Sequence, residues 1–246
     1  MKNLTLFSLA FGAICSLSAG TFNVYTGPHF NYANVDLDSG SNFDGYAGGL
    51  TAGVGYNCPH FFTDVSFEGT WNASAMVDSI SRRLGFSEYF VEWKVGPTFT
   101  AYGERLILAP YTGFGWDQFN NTRDPNGAST CFEYNKLFIP VGFYATWIFN
   151  VQSSLSLQFE WRPDVYSDLD VASIDLDNSS ENAFRVQLPY EYTFSSCSGT
   201  TLSIVPFFDW SEYGKSRQTN AAGAVIVIPS LTRWYLGLRL ILGYAF

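Results

Sequence analysis

Polar and apolar residues alternate along most of this chain, and the last stretch carries the pattern most plainly. From Leu231 to Phe246 the even positions are Thr232, Trp234, Leu236, Leu238, Leu240, Leu242, Tyr244 and Phe246. The odd positions are Arg233, Tyr235, Gly237, Arg239, Ile241, Gly243 and Ala245. A strand sends successive side chains to opposite faces. One face is therefore aliphatic with aromatic ends, and the other carries two arginines among small residues. A helix would set Arg239 among the leucines, so the period of two decides for a strand.

Nine further segments read the same way. They run over about Thr21 to Val35, Gly45 to Asn57, His60 to Ala73, Ser87 to Ala101, Arg105 to Gln118 and Phe132 to Phe149, then around Leu157, Val186 and Ile204. Turn residues separate them. Short connections such as Cys58-Pro59 and Gly103-Glu104 alternate with longer ones such as Asn120 to Thr130 and the acidic Pro163 to Asn182. All seven tryptophans fall on the apolar faces. Five of them (Trp71, Trp116, Trp161, Trp210 and Trp234) sit at strand ends beside the long connections. That spacing predicts an aromatic girdle at one membrane interface. Pro28, Pro97, Pro110, Pro140, Pro189 and Pro206 interrupt the segments. Proline cannot donate to a ladder, so a belt of bulges or local unpairing is expected there, or else a slip that flips the faces beyond it.

The terminal Phe246 with Tyr244, Leu242 and Leu240 at alternate positions behind it resembles the C-terminal signal of bacterial outer-membrane β-barrels. The resemblance is to the small OmpA-like and porin-type barrels. It implies an outer-membrane location, surrounding lipid as a partner, and a last strand that the barrel-insertion machinery reads. The chain start agrees. Lys2 precedes an apolar run from Leu4 to Ile14 and small residues to Gly20. This reads as a secretory signal over residues 1–20, too short to span a bilayer. Residues 21–246 then form one all-β domain, an antiparallel transmembrane β-barrel of ten strands, with eight or twelve as the alternatives.

Composition narrows the classes further. Only 14% of residues are charged and 18% are aromatic, and the formal net charge is −9. An acidic chain of this kind is no nucleic-acid binder. The inward faces hold both signs: Asp64, Glu68, Glu88, Glu92, Glu160, Glu191 and Asp209 with Lys94, Arg105, Lys136, Arg162, Arg185, Arg233 and Arg239. Charges in a narrow barrel need partners, so a salt-bridge network that fills the lumen is expected, with the lining of a small, weakly cation-preferring porin as the alternative. Tyr25, Tyr111, Tyr144, Phe207 and Tyr235 also point inward, where they obstruct a pore.

No catalytic, cofactor or metal site is read. The omptin proteases resemble this chain in strand count alone. His29 lies mid-strand and His60 beside a short turn, away from the rim such a site needs. Three Asp-Leu-Asp triplets, at 36–38, 168–170 and 175–177, lack the glycine and distal Glu of a calcium loop and read as a solvated acidic rim. Cys58, Cys131 and Cys197 are an odd set outside the cytoplasm. The turns of Cys58 and Cys197 are too far apart around ten strands for a bridge. Oxidation would therefore pair Cys58, Cys131 or Cys197 with another molecule.

Overall fold

The alternating segments are realised as strands that pair antiparallel with their sequence neighbours until the last meets the first. The computed structural model describes residues 20–37, 41–71, 75–77, 80–122, 132–171, 174–177, 181–195, 199–219, 225–228 and 230–246. The leader, Cys131 and Cys197 lie outside the described residues.

The elements in chain order are β1 (Thr21–Leu37), β2 (Ser41–Cys58), β3 (Phe61–Trp71), β4 (Ala75–Val77), β5 (Ile80–Pro97), β6 (Phe99–Ala101), β7 (Leu106–Thr122), β8 (Phe132–Phe138) and β9 (Val141–Asn150). After them come β10 (Ser153–Val171), β11 (Ile174–Asp177), β12 (Asn182–Gln187), β13 (Tyr190–Thr193), β14 (Thr200–Tyr213), β15 (Ser216–Thr219), β16 (Val225–Ile228) and β17 (Leu231–Ala245). Four staves of the barrel are each built from two successive strands, β3 with β4, β5 with β6, β8 with β9, and β12 with β13. The result is a closed antiparallel ring of ten staves, sealed where β1 pairs β17 from Asn23↔Ala245 to Leu37↔Leu231. β11, β15 and β16 stand outside the ring. There β16 pairs antiparallel with β15, from Ser216↔Ile228 to Thr219↔Val225.

The prolines act as interruptions that keep register. Pro97 ends β5, Pro140 separates β8 from β9, and Pro189 separates β12 from β13. At Pro28 the ladder to β17 lapses between Thr26↔Leu242 and His29↔Arg239. Across Pro189 the pairs Gln187↔Phe207 and Tyr190↔Ile204 advance by three residues on each strand, so no face is flipped. A register shift does occur in β10 at Val165, between Asp164↔Phe138 and Tyr166↔Leu137. Both Val165 and Tyr166 consequently face outward.

Small residues let the walls come together. On β2 a Cβ at Gly49 would lie 2.5 Å from the His29 ring, and one at Gly53 would lie 2.2 Å from the Tyr25 ring. At the short turn 102–105, Tyr102, Gly103 and Glu104 all take positive φ, of 52°, 63° and 69°.

The long connections are shorter than expected. Much of the stretch from Pro163 to Asn182 is strand: β10 runs on to Val171, and β11 folds back on it with Leu169↔Leu176 in register. β1 likewise extends to Leu37, β5 begins at Ile80, and β7 reaches Thr122. The physical reason is a reversal of phase. Low on β1 the outward residues are Phe22, Val24 and Phe30, and the inward ones include His29 and Asn31. Higher up, Ala33 and Val35 are buried inside while Asn34 and Asp36 face out. On β7, outward Phe114 and Trp116 give way to Gln118 and Asn120, and inward Asp117 gives way to Phe119. The barrel thus has a lower storey that is apolar outside and an upper storey that is apolar inside. Acidic residues on the outer wall of the upper storey look like loop in a single-phase reading.

Candidate functional site: the charged lumen

Outside, an aromatic ring marks the change of phase. Tyr46 meets Tyr32, which meets Trp234, each pair with centroids 5.5 Å apart. Trp234 pairs with Trp210, which stacks on Phe184 at 5.6 Å, and Phe184 pairs with Trp161. On the other side Trp116 pairs with Leu137, and the Trp71 indole donates to the Tyr89 hydroxyl at 3.2 Å. A second ring rims the short turns. It includes the contacts Phe22–Tyr56, Tyr102–Trp147 and Tyr244–Phe246. Its members are mostly Phe and Tyr, which tryptophan spacing cannot reveal. On β17 the rings lie ten residues apart, at Trp234 and Tyr244. At a rise of ~3.3 Å per residue and a tilt of about 40°, that is roughly 25 Å along the barrel axis, the height of a transmembrane barrel's apolar band. A polar interior within an apolar wall is the reverse of a water-soluble barrel, so this storey spans a bilayer.

Inside that storey the charges form a chain of alternating sign. Arg239 meets Glu68 at 2.9 Å, and Glu68 meets Arg185 at 3.0 Å. Arg185 and Arg162 both reach Asp209 at 2.6 Å. Arg162 continues to Glu160 at 3.5 Å, Glu160 to Lys94 at 3.3 Å, and Lys94 to Glu92 at 2.6 Å. Beside this chain, Arg233 meets Glu88 at 2.8 Å and Asp117 at 3.4 Å. Lys136 meets Asp164 at 3.1 Å and lies over the Tyr213 ring at 4.0 Å. Neutral donors complete the set: Tyr111 to Glu160 at 2.8 Å, Tyr25 to Asp64 at 3.0 Å, and Tyr213 to Asp117 at 3.2 Å.

Two of the predicted charges stand apart from the ion-paired network. Arg105 is exposed in the 102–105 turn, because β7 begins one residue later at Leu106. Glu191 is exposed near the lower mouth, where its neighbour is the Ser203 hydroxyl at 3.4 Å. Sequence reading in turn missed Asp117 and Asp164 as partners. Asp117 has the inward parity that signals it. Asp164 is hidden in the sequence because it follows Pro163, where the alternation breaks into the acidic stretch.

Aromatic layers close both ends of the ionic storey. Below, Phe62 makes T-shaped contacts with Tyr111 and Tyr144, with Phe62–Tyr144 centroids 5.5 Å apart. Above, Phe86, Phe119, Tyr134, Leu169, Tyr213, Leu231 and Tyr235 pack as one buried cluster. Between them a void of about 10 Å³, lined by His29, Asn31, Glu68 and Tyr235 among others, has room for about one water. His29 is buried with its two ring nitrogens 3.2 Å and 2.9 Å from the hydroxyls of Thr51 and Thr70. His60 lies at the opposite end from the upper rim, in the turn after Cys58. Cys58 itself is half-buried at the end of β2.

No family model matches this chain, and no curated protein matches it in sequence. Among solved structures, the outer membrane protease OmpT from Escherichia coli superposes with a TM-score of 0.62 at 8% identity, over 92% of this chain and 96% of that one. The translocator domain of the autotransporter NalP from Neisseria meningitidis gives a TM-score of 0.49 at 8% identity, over 99% and 96%. The fold of this chain is that of the bacterial outer-membrane β-barrels.

Proposed function

We propose that this protein is an integral outer-membrane barrel that acts as a non-conducting anchor, holding its upper storey and long connections at the outer surface. The observation that carries the reading is the filled lumen: an ion-paired storey capped above and below by packed aromatic layers. The inverted surface, the two aromatic rings and the OmpT-like fold support the location. The rings act as the girdles at the two membrane interfaces, and the short turns face the periplasm. Leu240, Leu242, Tyr244 and Phe246 stand outward and exposed on the closing strand, where an insertion machinery can read them. Neither histidine belongs to an acidic rim cluster, so the protease activity of OmpT is not carried over.

The experiment is conductance in planar bilayers with the refolded barrel. A filled lumen gives no steady steps; steady, cation-selective steps would replace the anchor with a porin. A tag in the 102–105 turn stays inaccessible on intact cells, and surface labelling there would reverse the orientation.

A further inference from the structure

The lumen charges are sorted along the chain. Among the described residues from β1 through β7, the buried groups are Asp64, Glu68, Glu88, Glu92 and Asp117 against Lys94. From β8 to β17 they are Lys136, Arg162, Arg185, Arg233 and Arg239 against Glu160, Asp164 and Asp209. Several pairs are internal to one half: Lys94–Glu92, Arg162–Asp209, Arg185–Asp209 and Lys136–Asp164. Arg162–Glu160 and Arg233–Asp209 are internal as well. Five more join the halves across the lumen: Arg185–Glu68, Arg239–Glu68, Arg233–Glu88, Arg233–Asp117 and Lys94–Glu160. Among the described residues, Glu68, Glu88 and Asp117 meet cationic partners only from the C-terminal half. Arg233 and Arg239 sit on β17, the strand that closes the ring, and their N-terminal-half partners lie on β5, β7 and β3, not on the adjoining β1.

We infer that the lumen face of the N-terminal half is an anionic docking surface whose partner is the cationic lumen face of the chain's own C-terminal half, and that their attraction across the unclosed barrel steers closure. An open sheet in a membrane leaves these charges without counterions in a medium of low dielectric, where Coulomb attraction is long-ranged and an unpaired charge is costly. Joining the halves relieves both at once. Backbone pairing of β17 with β1 alone would not distinguish this register from a slipped one; pairing Arg233 with Glu88 and Arg239 with Glu68 does.

The test separates steering from mere stability in the final state. Contacts made before the barrier change the folding rate, and contacts made after it change the unfolding rate. Insertion of the full chain into lipid vesicles and its unfolding in denaturant are followed by the heat-sensitive shift of the folded band on gels. Arg233→Leu is expected to slow folding about tenfold or more while unfolding changes less than about twofold, and Arg233→Lys to keep the near-native rate. Lys136→Met, which breaks a pair within one half, is expected to speed unfolding and leave folding unchanged. Should Arg233→Leu not fold, Glu88→Gln carries the same expectation. Native folding rates in the variants that cut between halves, with the whole loss appearing in unfolding, overturn the inference.

Discussion

The two storeys of the barrel solve one problem in opposite ways. Below the ring of Trp161, Trp210 and Trp234 the wall is apolar and the inside is ionic; above it the wall is polar and the inside is Phe86, Phe119, Tyr134 and Leu231. The backbone runs through the boundary with little change on β1, β7 and β17. The medium accounts for the difference. Hydrocarbon outside is as apolar as a leucine core, so burying leucines inside the lower storey would gain little there. Polar groups can hold that interior because their alternative is hydrocarbon. Once the strands rise into water, removing apolar area from solvent is worth ~25 cal/mol per Å² again, and the apolar residues turn inward.

The largest effect expected from breaking the lower storey is at its centre. Arg185 holds both Glu68 and Asp209 and lies over the Phe90 ring at 4.4 Å. Arg185→Leu leaves carboxylates buried with one partner fewer, and a loss of about 3–5 kcal/mol is expected. Equilibrium urea unfolding in vesicles measures it. A loss within experimental error would mean that the ion chain is wet and that the lumen is not sealed.

A somewhat smaller effect tests the wall. Leu240 is exposed midway between the two rings on β17. Leu240→Arg is expected to cost about 2–4 kcal/mol, the penalty for arginine near the midplane of a bilayer. A neutral outcome would place lipid elsewhere and reverse the faces.

The storeys also differ in how much the sequence tells of them. The lower one is legible because Leu236, Leu238, Leu240 and Leu242 repeat with one phase, and because its inward parity picks out Glu68, Arg185 and Asp209 directly. Which charge meets which is not legible. Glu68 and Arg239 are brought together by closure of the ring, and no local spacing records that. The upper storey reads poorly because a rule of one apolar face per strand breaks at the tryptophans. Asp168 and Asp170 then resemble loop residues, although Leu169 between them is buried and paired with Leu176. Arg105 errs in the other direction. Its parity is inward, but a strand end fixes direction only once pairing has begun at Leu106.

The smallest effect is the sharpest test of where the medium changes. Thr232 and Leu240 lie on the same strand with the same outward parity, Thr232 two residues above Trp234 and Leu240 six below it. Thr232 pairs with Glu212 on β14 and with Asp36 on β1, both on the outer wall. If the ring marks the interface, Thr232→Arg meets water and two neighbouring carboxylates. Its effect should stay within about 0.5 kcal/mol, with a slight gain that fades as salt is raised. The same side chain at Leu240 meets hydrocarbon. The difference between the two variants, read by the same unfolding assay, therefore reports lipid depth without reference to any one contact. Equal losses at both sites would put the upper storey inside the bilayer, and its polar wall would then need partners that water otherwise supplies.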